Sequence, residues 1–281
     1  MFFRGLFGIP DVFMDARGRA VNGVKGYLHY LLGLLARDQA RRVVVAFDES
    51  LRTCFRNDIY APYKANRPPP DDNVKFQLAS CRRLTGQLGV LTLADHRYEA
   101  DDILATLAAR ARRPVCLHTW DKDLLQLLRP SVTLRAPVSG VVCDATFRQR
   151  FGFAPALFPD YQALQGDASD NIPGVPGIGP SRAGRLVAEL GSMEAIFAGR
   201  REWPRLGLPV ASQAHRNLAA QREQAFAFRR LTRLCRRVAT SYASADVMVG
   251  APQVDCVARD LEASGLLRYF AKPLALLRSS I

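Results

Sequence analysis

Two short apolar runs constrain the architecture of this chain more than any other feature. Val43-Val44-Val45-Ala46-Phe47 and Val115-Cys116-Leu117-His118-Thr119-Trp120 are β-prone, too short for stable helices, and each is followed at once by an aspartate, Asp48 and Asp121. Continuous apolar runs of this length read as strands buried on two faces. Between them Ile103, Leu104, Leu107, Ala108 and Ala111 recur at helical spacing, which predicts an amphipathic helix with Glu99, Asp101 and Asp102 in its first turn. Strand-helix alternation predicts an α/β fold: a mostly parallel sheet with helices on both faces, whose functional groups collect outside the carboxyl ends of the strands. Asp48 and Asp121 stand at such ends.

After Phe151-Gly152 the pattern changes to short helical segments with Gly-Pro punctuation, which predicts a helical lobe from 155 to 281 behind an α/β domain of residues 1-154. A length of 281 residues with 48% hydrophobic content is enough for two such cores. Charge is unevenly placed. The net charge is +13, acids gather in clusters, and arginines run through 200-237, which favours a polyanionic partner over a generally basic background.

Several classes are disfavoured. The six cysteines show no CxxC pair and no metal-ligand spacing, so they read as small buried hydrophobes in a reducing compartment. No apolar run approaches the ~20 residues that span a bilayer, and the first residues lack the arrangement of a signal peptide. The expected location is the cytoplasm, with no membrane partner.

The acids fall into three clusters: Glu99-Ala100-Asp101-Asp102, Asp121-Lys122-Asp123 and Asp167-Ala168-Ser169-Asp170. Carboxylates in a helix first turn need no function, because they suit the positive end of the macrodipole. Convergence of Asp48, Glu99, Asp101, Asp121, Asp123, Asp167 and Asp170 is different, because these groups would repel one another unless divalent cations neutralised them. Oxygen ligands without His or Cys suit Mg²⁺ or Mn²⁺ over Zn²⁺. Two such ions about 3.5-4 Å apart would serve phosphodiester hydrolysis.

Directly after the last cluster comes Gly174-Val175-Pro176-Gly177-Ile178-Gly179-Pro180-Ser181-Arg182-Ala183. Its glycines let backbone N-H groups approach a phosphate at the start of the following helix, the geometry of helix-hairpin-helix elements. An ordinary helix-turn-helix connection is the plainer reading, but ten consecutive residues in this pattern outweigh it. Upstream, Lys64 and Arg67 flank the start of a Pro68-Pro69-Pro70 loop that reads as a stiff phosphate-binding arm.

Through Phe3-Arg4-Gly5, Phe47-Asp48, Tyr63-Lys64-Ala65-Asn66-Arg67-Pro68, Glu99-Ala100-Asp101-Asp102, Asp121-Lys122-Asp123 and Gly166 to Gly179, the chain resembles the 5'-nuclease domain of bacterial DNA polymerase I and its relatives, the flap endonucleases. The resemblance runs over nearly the whole length and implies a PIN-like domain with a helix-hairpin-helix lobe. It implies that Asp48, Glu99 and Asp101 belong to one metal site and Asp121, Asp123 and Asp170 to a second, with Asp167 alongside and Asp102 in support. It further implies that Lys64 and Arg4 reach the scissile phosphate and that Arg52, Arg56 and Arg67 line the single-strand path. K⁺ would sit among the carbonyls of Leu164, Gln165, Pro173, Val175 and Ile178, and Gly174, Gly177, Ile178, Gly179, Pro180, Ser181 and Arg182 would grip duplex DNA. A monomer is the family expectation.

Two departures stand out. Relatives begin with a buried apolar strand whose aspartate bridges the metals, whereas this chain starts inside the following helix; Asp11 and Asp15 lie beside Pro10 and Gly18 and cannot replace that acid. A lost central strand leaves unpaired backbone on its neighbours. Either sequence upstream of Met1 supplies the strand, or this is a natural product with weakened catalysis. The second departure is Gly179-Pro180-Ser181-Arg182-Ala183, where relatives usually carry Gly-x-Lys-Thr-Ala; Pro suits the first helical position, and Arg182 takes over the cation.

Phe226, Phe228, Leu231 and Leu234, interleaved with Arg229, Arg230, Arg233, Arg236 and Arg237, read as a core face with solvated arginines rather than a base-stacking stripe. His29, His96, His118 and His215 are scattered and are assigned no chemistry. The expected function is a structure-selective, two-metal nuclease that cuts DNA at 5' ends, flaps or junctions. The alternative is a branch-DNA-binding protein that keeps the hairpin and lacks catalysis.

Overall fold

The structure is a computed structural model and describes residues 13-136, 140-239 and 248-279. In chain order it contains helix α1 (Asn22–Leu32), strand β1 (Val44–Ala46), α2 (Phe55–Ile59), α3 (Asp72–Gln87), β2 (Leu91–Leu93), α4 (Ala100–Arg110), β3 (Val115–His118), β4 (Val132–Ala136) and β5 (Gly140–Val142). There follow α5 (Asp144–Phe151), α6 (Phe158–Gln165), α7 (Pro180–Leu190), α8 (Met193–Ala198), α9 (Gln213–Ala220), α10 (Arg222–Thr232), α11 (Val254–Ala263) and α12 (Leu267–Ser279). Local chemistry sets many of the boundaries. Asp71 caps α3 by accepting from the Val74 amide at 2.7 Å, Gly152 ends α5 in the left-handed conformation, and Pro180 occupies the first position of α7.

The chain forms two compact units that interleave in sequence: residues 1-47, 69-94 and 240-281 in the first, 48-68 and 95-239 in the second. The first unit holds the parallel pair β1-β2, in register from Val44↔Leu91 to Ala46↔Leu93. Its core draws Leu28, Leu31 and Leu32 from α1, Cys81 and Leu84 from α3, and Val257, Leu261, Phe270 and Leu274 from α11 and α12. The second unit holds β3-β4-β5, with β3 parallel and β5 antiparallel to β4. Leu117, Val132 and Leu134 from this sheet share a core with Ala105, Phe147, Phe158, Leu164, Leu186, Trp203 and Phe228. Both strands and the helix α4 form where the apolar pattern predicts them.

Three expectations are corrected. The strands form two small sheets rather than one, and among the described residues β1 ladders only with β2 and β3 only with β4. Neither strand is buried on both faces. Val44, Val45 and Ala46 are half-buried and Cys116 is exposed. Only Cys54 and Cys81 of the six free cysteines are fully buried. The second unit carries α4 and β3 as well as the hairpin. No helix among the described residues is long and apolar enough to cross a membrane.

Candidate metal centre and hairpin

All seven carboxylates singled out by the sequence lie in the second unit. Glu99 caps α4, and its amide donates to Asp102 Oδ2 at 3.1 Å, so the helix start fixes the spacing of Glu99, Asp101 and Asp102. Asp121 follows the β3 segment and accepts the Asp123 amide at 2.9 Å, which opens the 3₁₀ turn Lys122–Leu127. Asp167 accepts the amide and hydroxyl of Ser169 at 3.0 and 2.6 Å, and reciprocal amide bonds between Asp167 and Ile172 close a tight turn around Asp170. Carboxylate oxygens of Asp123, Asp167 and Asp170 all lie within 4.8 Å of one another.

The Tyr63 hydroxyl spans this group and the α4 start, 3.0 Å from Glu99 Oε2 and 3.1 Å from Asp170 Oδ2, so its single proton goes to one or the other. The loop that carries it is stitched to the acidic turn. The Lys64 amide donates to Asp170 O at 3.0 Å, Asn66 Nδ2 to Ala168 O at 2.9 Å, and Asn171 Nδ2 to Pro62 O at 2.7 Å. Cations therefore reach the acids from this side: Lys64 Nζ pairs with Glu99, and Arg67 Nη2 donates to Asp170 Oδ1 at 2.6 Å. Asp48, held by Ser50 N and Oγ at 3.1 and 2.9 Å, lines a cleft with Arg52, Lys64, Arg67 and Glu99.

Electrostatics divide the acids. Burial, then the nearby charges of Asp121, Asp123 and Glu99, push Asp101 well above the usual carboxylate range. Burial and Asp121 lead in raising Asp123 to about 7, against a bond from the Gln162 amide at 2.6 Å. Asp170 is also raised, because its burial outweighs Lys64 and Arg67. Glu99 is lowered: burial opposes ionisation, but Lys64 and Arg56 together prevail. Asp167 is lowered as well, its burial overcome by Ser169 and Lys122. Oxygen donors that converge, with no His or Cys among them and with Asp123 and Asp170 raised by burial and by neighbouring acids, suit a hard divalent cation.

Arg56 overturns its expected place on a single-strand path. It is 1% exposed, and its guanidinium donates to Asp102 Oδ2 and Oδ1 at 2.6 and 2.8 Å, to Glu99 Oε2 at 3.2 Å and to the carbonyl of Leu231 at 2.7 Å. A side chain so enclosed cannot meet DNA; it braces the acidic start of α4. Asp102 also accepts the Cys235 amide at 2.7 Å. Arg52 is exposed at the cleft, whereas Arg4 lies outside the described residues. Asp15 is spent on its own turn, accepting from Arg17 N, Arg19 N and Arg19 Nε. Arg229 is not solvated as expected, since it pairs with Asp160 and Glu194. Tyr63 and Gln162 are participants that the sequence reading overlooked; Tyr63 is signalled by its place next to Lys64, and Gln162 by nothing.

The hairpin leaves α6 through Gly166 (φ +84°) and Gly174 (φ +70°), whose backbones touch: a Cβ on Gly174 would stand 2.3 Å from Gly166 N. Ile178 is buried and its amide donates to Val175 O at 2.9 Å, so that amide is occupied internally. The amides of Gly177, Gly179 and Ser181 have no acceptor among the described residues and stand at the start of α7. Arg182 folds over the turn and donates to the carbonyls of Gly177 at 2.8 Å and Gly207 at 3.2 Å. Leu164 O and Val175 O each accept one backbone amide.

Comparison with known proteins agrees with this layout. The model of a 5'-3' exonuclease N-terminal resolvase-like domain matches residues 1-152, and that of a 5'-3' exonuclease C-terminal SAM fold matches residues 153-255. The thermostable DNA polymerase I of Thermus thermophilus is 41% identical over 198 residues, covering 69% of this chain and 24% of that protein. DNA polymerase I of Pseudomonas aeruginosa is 36% identical over 229 residues, covering 80% of this chain and 25% of that protein. The chain thus spans about a quarter of the length of these curated relatives. Among solved structures, the 5'-exonuclease of phage T5 with bound divalent metal ions (zinc) superposes with a TM-score of 0.64 at 21% identity over 90% of each chain. The catalytic core of Rad2 in complex with DNA substrate does so at 0.61 and 14% identity, covering 98% of this chain and 88% of that one.

Proposed function

We propose, from the premise that this chain belongs to the 5'-3' exonuclease family, that it is a structure-selective nuclease that hydrolyses DNA phosphodiesters at 5' ends, flaps or junctions. The observation that carries this reading is the gathering of Asp123, Asp167 and Asp170 within 4.8 Å, joined to Glu99 through Tyr63. Asp123, Asp167 and Asp170, with Asp121, would hold one Mg²⁺ or Mn²⁺, and Glu99, Asp101 and Asp48 another. Such ions supply Lewis-acid charge for an in-line displacement of the phosphodiester.

The chain's own residues have separable tasks. Lys64, poised on Glu99, turns its ammonium to the scissile phosphate, and Arg67 and Arg52 attract the backbone of the entering strand. Asp101 and Asp123, raised by burial and by neighbouring carboxylates, would ionise more readily with a divalent cation beside them. Tyr63 keeps Glu99 and Asp170 at fixed separation. The amides of Gly177, Gly179 and Ser181, without an acceptor among the described residues, would grip duplex phosphates together with Arg182 and without reading bases. K⁺ would share the hairpin through the carbonyls of Leu164, Gln165, Pro173, Val175 and Ile178. A monomer acting in the cytoplasm completes the reading.

The test is cleavage of a 5'-labelled flap duplex in Mg²⁺ by the 281-residue chain. Accumulation of short labelled product that depends on Asp101 supports the nuclease. Salt-sensitive junction binding with no product at any Mg²⁺ or Mn²⁺ concentration replaces it with the branch-binding alternative.

A further inference from the structure

We infer that Lys122 is a place-holder for a divalent cation: its ammonium neutralises Asp167 in the metal-free protein, and metal entry at Asp123, Asp167 and Asp170 expels it. This rests on reading those three carboxylates as metal ligands.

The three acids are compensated differently. Asp170 faces two cations, Arg67 at 2.6 Å and Lys64 at 4.0 Å; among the described residues Asp123 receives only the neutral amide of Gln162. Asp167 is 4% exposed at its side chain, one oxygen is engaged twice by Ser169, and the other lies 2.9 Å from Lys122 Nζ. The ammonium therefore covers the oxygen that Asp167 has left to offer a metal. Two cations at that oxygen repel each other, so a bound ion weakens the Lys122 contact and the contact weakens ion binding.

Of the three cations on these acids, Lys122 is held by the fewest contacts among the described residues. The Lys64 ammonium is 15% exposed and faces Glu99 as well as Asp170, and Arg67 is held a second time through Nε to Ser169 O. Lys122 has no second tether among the described residues and its side chain is 48% exposed, so its release into water carries little desolvation cost. The exchange keeps Asp167 ionised and oriented before metal arrives, at the expense of some metal affinity.

Mn²⁺ binding, followed by electron paramagnetic resonance of the free ion, tests this in the whole chain, in Lys122→Met, in Lys122→Arg and in Asp170→Asn. The place-holder predicts that Lys122→Met binds Mn²⁺ about three- to fivefold tighter, the scale of a half-exposed ion pair, and that Lys122→Arg stays near the parent. In parallel, amine acetylation mapped by mass spectrometry should show Lys122 reacting faster once Mn²⁺ is added. If the parent binds Mn²⁺ and Asp170→Asn does not, yet Lys122→Met is unchanged or weaker, the place-holder falls and the metal site stands. If acetylation of Lys122 is indifferent to Mn²⁺, the place-holder falls likewise. If the parent binds no Mn²⁺ at all, both readings fall together.

Discussion

The acidic pocket and the hairpin are four residues apart at their nearest, Asp170 and Gly174, yet they are built on opposite principles. The pocket is made of side chains brought from several chain segments, and its three buried acids are already paired: Lys64 with Glu99, Arg67 with Asp170, Lys122 with Asp167. The hairpin is made of backbone from one continuous stretch, with the amides of Gly177, Gly179 and Ser181 left without an acceptor among the described residues. Charge has to be balanced in the first and merely presented in the second. A pocket of that kind responds to metal, pH and distant braces; a hairpin of that kind responds to salt and to local backbone geometry.

The largest separation between the two regions should come from Asp170→Asn. Losing one ligand of a cation that stabilises transition-state charge by several kcal/mol should cut cleavage by about a thousandfold, while junction affinity measured without cleavage stays within about threefold. A comparable loss of binding would break the comparison, because it would make the acids part of the clamp. The next largest effect belongs to the brace. Arg56→Met leaves Asp102 and Glu99 buried beside an apolar side chain, which should destabilise the fold by about 3-5 kcal/mol. Thermal unfolding should show a fall of roughly 10 °C or more for a unit of this size. A variant as stable as the parent would return Arg56 to a solvent-facing role.

What could be read from the amino acids divides along the same line. The hairpin was legible residue by residue, because Gly174, Gly177 and Pro180 declare their backbone conformations locally. Helix α4 was legible too, since Glu99 and Asp102 cap a periodic apolar face. The acids were legible as clusters and only inferred as a site, because no local signal states that residue 123 meets residue 167 or 170. Arg56 was misread for that reason: its partners Glu99, Asp102 and Leu231 are 43, 46 and 175 residues away. An arginine among loop residues looks the same in sequence whether it faces phosphate or a buried carboxylate. Gln162, which holds Asp123, lies on a helix with nothing to distinguish it from a surface glutamine. The sheet was seen as strands and not as two sheets, since pairing partners are set by tertiary packing rather than by β-propensity.

Smaller effects sharpen the contrast further. Arg182→Ala removes one cation from the hairpin and should weaken duplex binding by about three- to tenfold, with the slope of log affinity against log salt falling by about one. Its Mn²⁺ affinity should match the parent. A change in metal binding there would mean that hairpin and pocket are energetically coupled rather than merely adjacent.

The smallest effect concerns pH. Asp123 titrates near 7 in the folded chain and at the usual carboxylate value when unfolded, and Asp101 and Asp170 are shifted the same way. An acid raised by folding is protonated more in the native state than in the unfolded one, so stability falls as pH rises from the unfolded value through the folded one. Metal-free protein should therefore unfold at a temperature about 2-4 °C lower at pH 8 than at pH 6, on the order of one kcal/mol. Mg²⁺ should remove most of that difference, because a bound cation replaces the protons that relieved the repulsion. Asp123→Asn should flatten the metal-free profile, and Arg182→Ala should leave it unchanged. An identical slope in Asp123→Asn and in Asp101→Asn would place the titrating charge outside these acids and dissolve the distinction between a pocket governed by repulsion and a hairpin indifferent to it.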